Sequence, residues 1–569
     1  MTTAGRACAL IGMLLAIGRG THSRGEGAQF RDAAAAAGLT FQHVNGATGA
    51  YHLPEIMGAG GALFDYDSDG DLDVLLLQGR PLEGRASASS GRPRLFRNDL
   101  STTAAAASLR FTDVTDRAGL AAGDYSMGVA VGDYDNDGDP DFYLTSYGPN
   151  RLYRNNGDGT FTDVTRVTGE GMDDPRWSTS AAFSDFDADG DLDLFVANYV
   201  DYTIAGSKRC SDPTGLRDYC GPLQFPPVPD RLLRNNGDGT FTDISEASRV
   251  TTSYGSGLGV VSADLTGDGR PDFYVANDAR PNQLWINRGD GTFEDGALLA
   301  GVAVNMDGVA EGSMGLAVGD PDNDGDLDIF ITNITGESHA FYENDGRGRF
   351  HDRRLTSGIG AATLRSTGFG TDWFDYDNDG RVDLFVANGG VTIIEALRGD
   401  PFPFRQPNQL LRNVDGRHFR DVSRDAGPAL QLSEVSRGAA FGDVDNDGDI
   451  DVLVTNNAGP VRLLLNETAS HNHWLEVRLQ GVTDNRQGLG ARVGAVMDDD
   501  TRTLWRRAHT DGSYLCGSDP RVHFGLGTAA APVRLIVEWR RGPREVWTDV
   551  QPDRIVTLKQ GTGTRLAGR

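Results

Sequence analysis

Short apolar runs alternate along this chain with acidic, glycine-rich turns. GAGGALF at 58–64, MGVAVG at 127–132 and MGLAVG at 314–319 each lead into such a turn, and VLLL, FYLT, LFVAN and IFITN lead out of others. Small and apolar residues on both sides of a turn-rich loop predict strand, loop, strand. Small side chains in the first strand of each pair predict crowding against a central axis. A third strand ending in Asn recurs at 95–98, 152–155, 232–235, 284–287, 341–344, 410–413 and 463–466. Turn residues, often NGDG, follow it and suit a hairpin that needs positive φ. A fourth strand then opens with Phe-x-Asp at 111, 161, 241, 293, 350 and 419.

Four strands in a unit of about 60 residues predict a β-propeller rather than a helical solenoid. Seven third strands but six fourth strands follow the loops, and the last, at 463–466, runs into ETASH without a partner. FRDAAAAAGL, with Phe30, Arg31 and Asp32, parallels FTDVTDRAGL at 111–120. The expected fold is therefore an all-β, seven-bladed propeller whose N-terminal strand closes the ring, leaving no free sheet edge. Residues 472–560 predict six or seven short strands of a small β-sandwich or barrel, with Leu475, Val477 and Leu479 alternating, as do Leu535, Val537 and Trp539.

The acidic turns carry the chemistry. The first places Asp65, Asp67, Asp69, Asp71 and Asp73 at alternate positions; the second, Asp133, Asp135, Asp137, Asp139 and Asp141; the third, Asp185, Asp187, Asp189, Asp191 and Asp193. The fourth reads Asp264, Thr266, Asp268, Arg270 and Asp272, and the fifth Asp320, Asp322, Asp324, Asp326 and Asp328. The sixth has Asp375, Asp377, Asp379, Arg381 and Asp383, and the seventh Asp443, Asp445, Asp447, Asp449 and Asp451. Oxygens at positions 1, 3, 5 and 9, with glycine at 6, suit Ca²⁺, a hard cation that takes 6–8 oxygen ligands. Position 7 would ligate through its carbonyl, which makes Arg270 and Arg381 tolerable there. About seven structural Ca²⁺ sites are expected, the fourth the weakest. At an affinity of about 0.1 mM and about 1 mM free calcium, each contributes about 1.4 kcal/mol.

The 569 residues are 38% hydrophobic, include 75 glycines and carry a formal charge of −28. That charge argues against nucleic acid as a partner, since phosphate binding needs a basic surface. Arg6 followed by an apolar run to Gly18 predicts a secretory signal, with the mature chain starting near residue 28. Once exported, CSDPTGLRDYC predicts a local Cys210–Cys220 disulfide, with two free thiols as the alternative, and leaves Cys516 unpaired.

The loops and their flanking strands resemble the FG-GAP/VCBS repeats of integrin α-subunit propellers. NHWLEVRLQGVTDNRQGLGARV, YLCGSDPRVHFGLG and VRLIVEW resemble the ASPIC/UnbV domain, and the two together resemble the cartilage acidic protein family and its bacterial relatives. HVNGATGAYHLPEIMGAGGALFDYDSDGDLD is similar to that family's entry into its first blade. The resemblance implies an exported calcium-binding propeller. Expected boundaries are a signal peptide at 1–28, the propeller at 29–468, an ASPIC/UnbV-like domain at 469–560 and a disordered tail at 561–569.

Other candidates have plainer explanations. Arg288-Gly289-Asp290 spells an integrin-recognised tripeptide but replaces the hairpin turn of its sister repeats. His43, His52 and Glu55 could form an acid/base group, with capping of the propeller as the structural alternative. His471 and His473 flank the domain junction, and Asn333 and Asn466 head glycosylation sequons. No nucleophile or phosphate-loop motif accompanies them. The expected function is a non-catalytic extracellular binding, adhesion or scaffold module: secreted (periplasmic or cell-surface in a bacterium), monomeric, without a transmembrane segment. Its ligand would be an extracellular protein or glycan. The alternative is a polysaccharide-binding lectin or carbohydrate-active enzyme, with Tyr199, Tyr202, Tyr219 and Phe225 in the 199–230 insert as the sugar-facing candidates.

Overall fold

Each acidic loop joins the first two strands of an antiparallel, four-stranded sheet, and there are seven such sheets. The computed structural model describes residues 29–566 apart from 85–90, 102–107, 122, 170, 213–214, 393–403, 469 and 498–501; the leader expected at 1–28 lies outside the described residues. The second sheet is typical, with strands Tyr125–Gly132, Asp141–Tyr147, Arg151–Asn155 and Phe161–Asp163 in sequence order. In the last sheet Ser436–Gly442, Asp451–Asn456 and Arg462–Asn466 are followed by Phe30–Asp32 from the other end of the chain. Phe30 pairs with Asn466 and Asp32 with Leu464. The alanines that follow turn inward: Ala33, Ala34 and Ala37 are buried beside Leu463 and Phe111.

First strands lie side by side around a common centre, so close that side chains larger than hydrogen are excluded at several positions. A Cβ on Gly315 would collide with the carbonyl oxygen of Phe369, and one on Gly438 with the Cys516 sulfur. This is the crowding that the small residues of those strands predict.

A second regularity links neighbouring sheets. The Asn that ends each third strand donates its side-chain amide to the carbonyl of loop position 2 in the preceding sheet. Asn155 reaches Tyr66 at 2.8 Å, Asn235 reaches Tyr134 at 2.8 Å and Asn466 reaches Tyr376 at 2.9 Å. Asn98 of the first sheet reaches Val444 of the last at 2.8 Å.

The C-terminal segment forms a three-stranded sheet (Val522–Gly527, His473–Gln480, Ile555–Lys559) and a five-stranded one, ordered Thr503–Arg507, Arg492–Val496, Val533–Glu538, Glu545–Val550, Thr564–Arg565. Leu475, Val477 and Leu479 from one sheet and Leu535, Val537 and Trp539 from the other share a core. That makes eight strands rather than the six or seven expected. The extra one corrects the expected disordered tail: Thr564–Arg565 pairs with Glu545–Val550, and the Glu545 carboxylate accepts the Gly561 amide at 2.9 Å. A ninth strand, Cys516–Gly517, leaves the domain and pairs in parallel with Gly61 and Ala62 of the first sheet. Just before it, Tyr514 and Leu515 pack among Met127, Leu258, Met314 and Phe369 from four first strands, and Leu53, Ile56 and Met57 join the same core. Among the described residues no helix is long and apolar enough to cross a membrane.

Candidate metal centres

Position 4 of each loop takes a left-handed turn, with φ of 59° at Ser68, 57° at Asn136, 60° at Ala188 and 56° at Asn446. Asn tolerates that region better than most residues, and glycine at position 6 supplies the next positive φ. The carboxylate at position 1 fixes the turn: Asp133 accepts the amides of Asp137 at 3.1 Å and Gly138 at 2.9 Å. The position 9 carboxylate fixes its base. Asp141 accepts Tyr134 N at 3.1 Å and Asn155 N at 2.7 Å, so the conserved geometry of the third strand and the loop meet on one side chain.

Positions 1, 3 and 9 converge. Carboxylate oxygens of Asp65, Asp67 and Asp73 lie within 4.8 Å of one another, as do those of Asp133, Asp135 and Asp141, Asp185, Asp187 and Asp193, and Asp375, Asp377 and Asp383; in the fifth loop the set is Asp320, Asp322 and Asp324. The position 3 oxygen is the one left over. Oδ1 of Asp67, Asp135 and Asp445 is buried and accepts no hydrogen bond. A buried carboxylate oxygen without a partner is costly unless a cation meets it, so the residues fit a hard divalent ion. Burial raises these carboxyls first and neighbouring aspartates raise them further: Asp133 is pushed up to about 7 and Asp449 to about 8.

The fourth loop differs in kind. The Thr266 hydroxyl donates to Asp272 Oδ2 at 3.1 Å, and the Arg270 guanidinium pairs with Asp268. In the sixth, Arg381 sits 3.1 Å from Asp379, beside an intact set at 1, 3 and 9.

Two features of the loops went unread in the sequence. Position 4 Asn ties one loop to position 7 of the next: Asn136 Nδ2 donates to Asp191 at 2.9 Å and Asn378 to Asp449 at 2.7 Å. The recurrent DND in these loops was the available signal. The other is that an arginine of the C-terminal domain meets every loop. Arg478 pairs with Asp65 at 2.7 Å, Arg486 Nε donates to Asn136 O at 3.0 Å, and Arg541 donates to Asp189 O. Arg540 donates to Gly269 O at 2.7 Å, Arg492 to Gly325 O at 2.6 Å, Arg502 to Gly380 O at 3.2 Å and Arg521 to Asp443 O at 2.8 Å.

The remaining candidates are committed elsewhere. Cys210 and Cys220 form a disulfide, and Cys516 is buried and free, its thiol pushed up to about 12 by burial. His43, His52 and Glu55 are buried; His52 Nδ1 meets Tyr202 OH at 2.8 Å, and Glu55 accepts Tyr219 OH at 2.9 Å. Tyr199, Tyr202 and Phe225 are buried in the central core with Trp177, which corrects the expectation of a sugar-facing aromatic surface there: the insert spends its rings on packing. Arg288 pairs with Glu294, and Asp290 caps the Thr292 amide at 3.0 Å, bending the tripeptide into its hairpin. His473 pairs with Asp553 at 2.7 Å. Asn333 and Asn466 are buried, with their amides donated to Ser338 O and Tyr376 O, so neither sequon presents an acceptor nitrogen.

Residues 65–144, 133–196, 226–275, 264–331 and 320–386 match the FG-GAP-like repeat, and residues 481–565 match ASPIC and UnbV. Cartilage acidic protein 1 of Homo sapiens is 27% identical over 355 residues, 61% of this chain and 48% of that protein. The Xenopus tropicalis protein is 25% identical over 518 residues, 86% of this chain and 71% of that one. The chain thus spans about half the length of its human relative. A solved structure of an Agrocybe aegerita lectin, described as recognising non-reducing terminal N-acetylglucosamine, aligns at 15% identity and a TM-score of 0.39 over 71% of this chain and 86% of that one.

Proposed function

The chain belongs to the FG-GAP-like repeat family, with an ASPIC and UnbV domain near its C-terminal end, and from that membership we propose that it is an exported, calcium-stabilised binding module. Its seven sheets act as the blades of a propeller over residues 29–468, closed by the strand Phe30–Asp32, with the 469–566 domain as a small β-sandwich over the loops. The closed ring is supported by the Phe30–Asn466 pairing and by the Asn98–Val444 hydrogen bond between first and last sheets.

Calcium is held by the aspartates at positions 1, 3, 5 and 9. The observation that carries this reading is the buried, unpartnered Oδ1 at position 3 of three loops, in turns where positions 1 and 9 are already satisfied by backbone amides. The ion supplies the positive charge that lets several buried carboxylates stay ionised together. The protein's own part is to fix the turn, through the position 6 glycine and the position 1 carboxylate.

A binding role rather than catalysis is supported by His43, His52 and Glu55 serving as buried struts. The module acts as a monomer on an extracellular protein or glycan. Metal analysis of the purified protein, with thermal melts in calcium and in EGTA, tests the calcium reading. Several bound Ca²⁺ per chain and a markedly lower melting temperature in EGTA are expected; an unchanged melt and no retained calcium would sink it.

A further inference from the structure

We propose that the C-terminal domain is a lid thermodynamically coupled to the loops: its arginines dock on each loop in the ordered form, so that calcium strengthens docking and docking strengthens calcium binding. The proposal rests on the calcium reading above and adds a regulatory layer to the same sites.

The chemistry of the contacts sets the sign. Only Arg478 meets an end-of-loop ligand carboxylate, that of Asp65. The other six loops offer main-chain carbonyls, of which Gly269, Gly325 and Gly380 occupy position 6. Those carbonyls face outward because their glycines hold positive φ of 87°, 96° and 88°. A loop that opens to relieve repulsion between its aspartates turns this carbonyl away. The arginine therefore recognises the folded turn rather than the bare charge, and reciprocity requires that it favour whatever else stabilises that turn.

Simple electrostatics would give the opposite sign, with guanidinium and calcium repelling each other. The loop's charge tempers that effect. With five aspartates, 133–141 remains negative after accepting a divalent ion, so an arginine is still attracted. Residues 471–569 carry more arginine and lysine than acid, whereas the chain as a whole is strongly acidic, so the lid complements the loop face. Its centre is anchored separately: Ser513 Oγ donates to Ala439 O at 2.6 Å, and Leu316 N donates to Ser513 O at 3.0 Å. Coupling is thus felt at the rim, in segments such as 502–507 and 486–492, while 513–517 stays seated.

The test uses the full chain. Hydrogen exchange of peptides covering 486–492 and 502–507 is followed through a calcium titration, and calcium affinity is measured by calorimetry for the wild type, Arg506→Gln and Arg540→Gln. Arg506 donates to Asn323 Oδ1 at 3.0 Å, and Arg540 lies at the half-buried edge, so the second variant keeps the test open if the first perturbs folding. Rim protection that rises with the calcium midpoint is expected, with affinity in either variant weaker by about fivefold, the low end of typical couplings. Unchanged or tighter calcium binding in a well-folded variant, or rim exchange indifferent to calcium, overturns the coupling alone. Absence of calcium binding in the wild type overturns the calcium reading and the coupling with it.

Discussion

Asn446 donates its side-chain amide to Asp71 across 2.8 Å, joining the seventh acidic loop to the first, and its carbonyl oxygen accepts Arg521 at 2.8 Å. One side chain thus connects both ends of the loop series to the C-terminal domain. It does so from a left-handed backbone conformation, φ 56°. Two substitutions separate the contributions. Asn446→Gly keeps the turn and removes the hydrogen bonds, and should cost about 1–2 kcal/mol. Asn446→Ala adds the left-handed penalty and should cost about 1 kcal/mol more. Urea denaturation in saturating calcium checks the order; Ala equal to or better than Gly would refute it.

Without metal, stability should fall as pH rises. Burial, then Asp137 and Asp135, pushes Asp133 up to about 7, and burial, then Asp447, Asp443 and Asp445, pushes Asp449 up to about 8. A carboxyl raised in the folded chain holds its proton there more tightly than in the unfolded chain. Between the ordinary carboxylate range and about pH 8 the folded state therefore binds the extra protons, and stability drops with increasing pH. Melts in EGTA should be higher near pH 5 than near pH 8, and calcium should abolish or reverse that slope. A rising melt across that range in EGTA would count against the loops as the seat of strain.

Thr266 marks the weakest binding step. Its hydroxyl is already donated to Asp272, and Arg270 already neutralises Asp268. Thr266→Asp with Arg270→Asp restores the sister-loop pattern, and should tighten the weakest step in a calorimetric calcium titration while leaving the strongest unchanged. No change in any step would show that the fourth loop is not limiting.

Phe30 is the apolar anchor of the N-terminal strand, 1% exposed and edge-on to Phe374 at 6.4 Å between ring centres. Phe30→Ala should cost about 3–5 kcal/mol. Deleting 29–40 removes the strand altogether and should leave the Arg462–Asn466 edge open to a second copy. Sedimentation read beside the melt would reveal this; a truncated chain that melts as the wild type and stays monomeric refutes the anchoring role.

The sequence made the repeated parts of this fold legible, since each loop was readable against six others. The N-terminal strand was found the same way, because Phe30-Arg31-Asp32 filled a gap in a counted series. Contacts made once, between segments distant in the chain, carried no such signal. Arg478 lies 413 residues from Asp65, and nothing in VRLQ distinguishes it from a solvated surface arginine. The insert aromatics misled for a related reason: Tyr202 and Phe225 look like a binding surface until Trp177 and Tyr147 close over them. Strand Thr564–Arg565 was missed because two residues pair on a register that only the folded sheet defines.

The pairing of Cys516 with Gly61, and of Asn466 with Phe30, gives this chain an unusual relation to its own synthesis. The first residues of the mature sequence wait, unpaired, until nearly everything else has emerged, and the centre of the molecule is filled by a segment made almost last. Native contacts so remote in sequence form slowly. A stop codon late in the gene, removing only the final tenth of the protein, would therefore take out the middle rather than the end.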